Sequence, residues 1–223
     1  MGTSAAYYCI WNRGFTEKEL KEKLRTLSSA GREKEETFYK SLGALISPEI
    51  VEQMRRETAE TAAQFEAIFP GMIQPQRRRA VIALCLEAQW LPLFETALCE
   101  GYTASSKDAM RLSKLFQAPV LAFSLFDSDV LFVSYGDAEK EICYDYAKPN
   151  FEEFEEYDAE QYSTGFPDFL SEFCSKTELK AIWNRVDEVF ADDRLEKLCR
   201  LMQIDLLYDG ACVLEGYQLI SVP

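Results

Sequence analysis

The stretch Pro119–Tyr146, PVLAFSLFDSDVLFVSYGDAEKEICYDY, constrains the fold of this chain more than any other. Val120, Leu121, Ala122, Phe123, Leu125 and Phe126 form a near-continuous apolar run, and Val130, Leu131, Phe132, Val133 and Tyr135 form a second. Only Asp127-Ser128-Asp129 separates them. Asp and Ser side chains hydrogen-bond the backbone of the turn they occupy, so the pair reads as a β-hairpin. After Gly136-Asp137, Ile142, Tyr144 and Tyr146 alternate with Glu141, Cys143 and Asp145, the period of a third strand with one wetter face. The first two strands lack such alternation and are expected to be buried on both sides. A meander of this kind needs a further layer to cover it, which points to an α+β fold with a largely antiparallel sheet flanked by amphipathic helices.

The rest of the chain supplies those helices. Ala5–Trp11 is aromatic and apolar enough for a strand. Thr16 and Glu19 form a capping box, Phe15 is placed to staple against Leu20, and Leu20, Leu24 and Leu27 share one helical face. A second helix is expected from about Arg32, with Phe38, Leu42, Leu45 and Ile46 inward. A third follows Ser47-Pro48-Glu49, with Val51, Met54, Thr58, Ala62, Phe65 and Phe69 at helical spacing until Pro70-Gly71. The run AVIALCLEA after Gln76 is compatible with strand or helix; its Ala, Leu and Glu content favours a helix that Pro92 interrupts. Ser105 and Asp108 open a helix to Gln117, with Ala109, Leu112, Leu115 and Phe116 inward. Phe166-Pro167 starts a short helix to Cys174. Ser175 and Glu178 cap the next, whose stripe is Leu179, Ile182, Trp183, Val186 and Phe190. Another begins at Asp192 or Asp193 and carries Leu195, Leu198, Leu201 and Met202, and Ala211–Val222 reads as a closing strand. The chain shows no repeat and no flexible linker. A single α+β domain over 1–223 is the expected organisation, with a helical N-terminal subdomain over about 15–100 as its variant.

Composition narrows the chemistry. The 223 residues are 48% apolar, enough for a substantial core. The formal charge of -14 would repel nucleic acid and anionic membrane and favours a basic protein partner. No apolar run is long enough to span a bilayer. The seven cysteines, Cys9, Cys85, Cys99, Cys143, Cys174, Cys199 and Cys212, are dispersed, form no CxxC pair, and suit reduced thiols in a cytoplasm. The chain has no histidine. That removes Ser-His-Asp and Cys-His catalysis and HExxH metal sites together, and leaves Cys143 and Cys212 without an imidazole base. Nor is there a glycine-rich phosphate loop.

Two stretches carry candidate function. Asp127-Ser128-Asp129 at the end of an apolar strand resembles the DxD signature of haloacid-dehalogenase-type phosphohydrolases. The resemblance implies Asp127 as nucleophile, Asp129 as acid and base, and Mg²⁺ bridging both to substrate. Asp192-Asp193 would then supply a downstream acidic pair and Lys176 or Lys180 the phosphate lysine. A hairpin turn and a helix cap account for the same residues without chemistry. The triplet Arg77-Arg78-Arg79 reads either as an anion clamp or as a solvated helix face. The second stretch, Phe151–Tyr162, sets aromatic residues among acids: Glu152, Glu153, Phe154, Glu155, Glu156 and Tyr157 form a surface that a basic protein could recognise. The reading adopted is a non-enzymatic cytoplasmic binding or regulatory protein, of inhibitor or immunity type, needing no cofactor or metal. The alternatives are the Mg²⁺-dependent phosphohydrolase and a small-molecule domain with an aromatic pocket.

Overall fold

The computed structural model describes residues 5–28, 80–99, 104–149, 162–185, 190–207 and 214–222, with positions 50, 53, 56, 57 and 60. Seven strands form one antiparallel sheet: β1 (Ala5–Trp11), β2 (Ala80–Leu84), β3 (Trp90–Glu95), β4 (Val120–Phe126), β5 (Val130–Asp137), β6 (Ile142–Pro149) and β7 (Gln218–Val222). Their order across the sheet is β6-β5-β4-β1-β3-β2-β7. The helices are α1 (17–28), α2 (Thr96–Cys99), α3 (Ser106–Phe116), α4 (Lys176–Trp183) and α5 (Ala191–Met202), and a 3₁₀ turn spans Asp168–Glu172.

The meander expected from the sequence is β4-β5-β6, with Phe126 paired to Val130 across the first turn and Asp137 to Ile142 across the second. Strands alternate their side chains between two faces, and both faces of the centre are covered. On one, Ala6, Tyr8, Ile10, Val120 and Ala122 pack beneath Leu20, Leu24 and Leu27 of α1 and Ala109, Leu112 and Phe116 of α3. On the other, Tyr7, Cys9, Leu121, Phe123, Leu125, Leu131 and Val133 meet Leu179 and Trp183 of α4 and Leu195, Leu198 and Met202 of α5. This two-sided burial is why β4 and β5 read as continuous apolar runs. In β6, Ile142, Tyr144 and Tyr146 pack against the second layer while Cys143 is exposed, the wetter face predicted for it.

Local caps place the helices. Thr16 N–H donates to Glu19 Oε2 at 2.8 Å and Glu19 N–H to Thr16 Oγ1 at 3.3 Å, a reciprocal capping box. Ser105 Oγ accepts from Asp108 N–H at the start of α3, and Ser175 Oγ from Glu178 N–H at the start of α4. A second anchor fixes α3: the Asp145 carboxylate on β6 accepts from Ser106 N–H at 2.8 Å, from the Ser106 hydroxyl, and from Ser134 Oγ at 2.6 Å. A carboxylate at a helix amino end is favoured by the helix dipole. Farther along, α3 rides directly on Gly136 of β5. A Cβ built there would lie 2.4 Å from Met110 N, so glycine is the residue that admits this approach.

Four expectations need correction. The run after Gln76 is strand β2, paired to β3 and β7, rather than helix, so Ala80–Leu84 belongs to the common sheet. Pro92 lies inside β3; the β2 ladder stops at Ile82↔Leu93, one residue short of it, where a backbone donor would be missing. Phe190 is not in the stripe of α4, which ends at Trp183, and its side chain is 54% exposed. The closing strand begins at Gln218, with Leu214 in the preceding turn region. The described positions 50, 53, 56, 57 and 60 are helical and exposed; Arg32–Ile46, Arg77–Arg79, Cys212 and residues 150–161 lie outside the described residues. No helix among the described residues is long and apolar enough to cross a membrane.

Candidate partner-binding groove

The β4–β5 turn and the amino end of α5 form one unit. Asp129 N–H donates to Phe126 O at 2.9 Å, and Asp127 and Ser128 both take left-handed backbone, φ 50° and 62°. Asp is among the few residues that adopt this conformation readily, so the turn chemistry read from the sequence is the one used. Ser128 O then accepts from Ala191 N–H at 2.8 Å. That bond serves the first turn of α5, whose N-cap residue, Phe190, supplies no side-chain cap. Asp192 and Asp193 are therefore first-turn acids at the positive end of the helix dipole rather than caps.

The turn thus brings Asp127-Ser128-Asp129 and Asp192-Asp193 onto adjoining elements, as the phosphohydrolase resemblance requires. Among the described residues, no three of the Asp, Glu, Cys and His type converge to hold a metal ion. The two lysines that the resemblance would recruit are engaged on α4: Lys176 Nζ pairs with Asp168 at 2.6 Å, and Lys180 Nζ lies over the Phe166 ring at 5.5 Å. Of the two thiols weighed as nucleophiles, Cys143 is exposed on β6 and Cys212 lies outside the described residues. The acidic-aromatic residues Glu152, Glu153, Phe154, Glu155, Glu156 and Tyr157 also lie outside them.

A buried arginine holds α5 in place. Arg194 is 1% exposed; its Nη1 donates to Ile182 O at 2.6 Å and Trp183 O at 2.9 Å, and its Nη2 to Arg185 O at 2.9 Å. These are carbonyls at the carboxyl end of α4, where a helix leaves acceptors free and the dipole favours a cation.

Beside α5 the second face opens into a groove of about 410 Å³. Tyr7, Leu125, Leu195, Ile204, Leu206 and Leu214 make it apolar, and Cys199 adds its thiol. Burial, then the negative charge of Asp205 and Glu196, pushes that thiol up to about 12. The charged residues of the groove, among those described, are Asp192, Glu196, Asp205 and Arg200. Arg200 is ion-paired with Glu196 one helical turn away, which leaves Asp192 and Asp205 as the carboxylates not balanced by it. Tyr217 OH donates to Asp205 Oδ2 at 2.7 Å, tying the turn after Leu214 to the wall that follows α5. Burial and that same carboxylate hold the Tyr217 hydroxyl well above its ordinary range. Asp192 Oδ2 is buried and finds no hydrogen-bond donor among the described residues.

The groove was not anticipated from sequence, although a signal for its rim exists. Asp192, Glu196 and Arg200 recur at i, i+4 and i+8 beside the buried Leu195 and Cys199, a charged stripe bordering an apolar one. Aromatic residues concentrate elsewhere on this face. Tyr135 and Tyr144 meet Phe169 at ring-centroid distances of 4.9 and 5.0 Å, and Trp90 meets Phe173 at 5.1 Å, so they fill one another's space. Among the described residues that line the groove, Tyr7 is the one aromatic. Compared with protein family models, with curated proteins and with solved structures, the chain finds no match.

Proposed function

We propose that this chain is a non-enzymatic binding protein, of inhibitor or immunity type, that docks a basic protein partner in the groove beside α5. The observation that carries this reading is an apolar floor rimmed by Asp192, Glu196 and Asp205 on a chain of net charge -14. Such a field speeds the encounter with a cationic surface, and the floor supplies contact area once the partner is seated. A cytoplasmic setting fits the six described cysteines, all of which are free.

The test is affinity capture from the native cell with the wild-type chain, the double variant Glu196→Gln/Asp205→Asn, and Glu22→Gln on the exposed side of α1 as control. A basic protein should be retained by wild type and by the control at about 0.05 M salt, released near 0.5 M, and lost with the double variant. Equal retention by all three would remove the groove from the account. Turnover of an aryl phosphate with Mg²⁺ that Asp127→Asn abolishes would replace binding with the phosphohydrolase reading.

A further inference from the structure

The groove is specific about what it can seat. Its floor at Leu125, Leu195, Ile204, Leu206 and Leu214 accepts aliphatic side chains and offers them no polar partner. Its rim is acidic, and Arg200, the one guanidinium among the described lining residues, is paired with Glu196. Asp192 Oδ2 is a buried acceptor without a donor among the described residues, a state that costs free energy until an N–H reaches it. A volume of about 410 Å³ falls in the range that holds a short peptide segment or a compact ligand, roughly 300–1,000 Å³.

Resting on the partner-binding reading above, we infer that the partner segment seated here presents a lysine or arginine flanked by aliphatic residues. Its cation lies against Asp192 and Asp205, and its neighbours lie on the leucine and isoleucine floor. Arginine suits the site better than lysine, because a guanidinium forks its donors toward a carboxylate and is more weakly hydrated. An acidic segment would add like charge to the rim, and a neutral amide could donate to Asp192 Oδ2 but would bring no charge to set against Asp192 and Asp205.

The experiment titrates the full chain with blocked tripeptides Leu-Arg-Leu, Leu-Lys-Leu, Leu-Gln-Leu and Leu-Glu-Leu, reading backbone amide shifts by NMR. The two cationic peptides should move the amides of Leu195, Glu196, Ile204 and Leu206, and bind at least about tenfold more tightly than the glutamine peptide, a difference of about 1.4 kcal/mol. Asp192→Asn should reduce the arginine peptide to the level of the glutamine one, and Asp205→Asn should weaken it in the same sense. Thermal unfolding of each variant checks that the fold is kept. Equal binding of all four peptides, no response at the groove, or no effect of Asp192→Asn overturns the inference. If captured partner is lost with the groove variants while the peptides fail to bind, the docking reading stands and this specificity falls. If capture ignores the groove variants, the docking reading falls whatever the peptides do.

Discussion

Replacing Gly136 by alanine tests how closely helix and sheet are matched in this fold. The new Cβ would lie 2.4 Å from Met110 N, 2.6 Å from Ala109 C and 2.7 Å from Met110 Cα. All three atoms belong to the α3 backbone, so no side chain can swing aside. Carbon atoms rest about 3.5–4.0 Å apart, so α3 must withdraw by about 1 Å. Ala109, Leu112 and Phe116 would then lift from Tyr8, Val120 and Ala122, and a gap of that size forfeits roughly a quarter to a half of each contact's attraction. Overpacking of a tight core typically costs about 1–3 kcal/mol and occasionally more, and the lost freedom of the unfolded chain returns about 0.4–1 kcal/mol. With backbone as the obstacle, the upper end applies, for a net loss of about 2–3 kcal/mol.

Urea unfolding should therefore show a lower midpoint with an unchanged slope, and the melting temperature should fall by about 4–12 °C for a chain of this size. Gly14→Ala is the matched control. There φ is +80° and nothing lies within 4 Å, so no clash operates, and the left-handed strain of about 1–2 kcal/mol is partly offset by the same gain of about 0.4–1 kcal/mol from the unfolded chain. If Gly136→Ala loses less stability than Gly14→Ala, α3 has slack against β5 and the close approach described for them is wrong.

Arg194→Met should cost about 2–4 kcal/mol by urea unfolding, since it strips the donors from three carbonyls around the end of α4, and hydrogen exchange in α4 should accelerate most. Maleimide labelling of the native chain should reach exposed Cys143 first and spare buried Cys9 and Cys199 until the chain unfolds. Because burial raises the Cys199 thiol from 9.0 to about 12, its protonated form is favoured in the fold; that contribution is intact below pH 9 and is lost as pH climbs toward 12. The alkaline limb of a stability–pH curve should accordingly be shallower in Cys199→Ala than in wild type.

What the sequence made legible was whatever is decided locally. The Thr16–Glu19 box, the Ser105 and Ser175 caps and the Asp-Ser turn each involve groups within three residues of one another, and each forms as expected. β2 was illegible for the opposite reason. Ala80–Leu84 is buried at every position, so it shows no alternation, and the Ala and Leu in and after it favour helix when taken alone. Its state is set by β3 on one side and by β7, more than 130 residues later, on the other, which tertiary pairing supplies and propensity does not. Phe190 misled for a related reason: its spacing continued the stripe of α4, but α4 stops at Trp183, where the carbonyls of its last turn are taken by Arg194 from the following helix.

The same distinction applies to the aspartates that the phosphohydrolase resemblance groups together. Asp127-Ser128-Asp129 and Asp192-Asp193 looked like members of one catalytic set because a shared chemistry was the only link visible between positions so far apart. The fold supplies a different link, the bond from Ala191 N–H to Ser128 O, in which a turn carbonyl does for α5 what its aromatic N-cap residue does not. With the helix start fixed there, acids in its first turn are stabilised by the dipole, and Asp192 is carried to the edge of the groove that Tyr7 and Leu125 floor from β1 and β4. Proximity of carboxylates follows from that geometry alone. It leaves Asp192 Oδ2 buried without a donor among the described residues, the acceptor that the proposed cationic partner would engage.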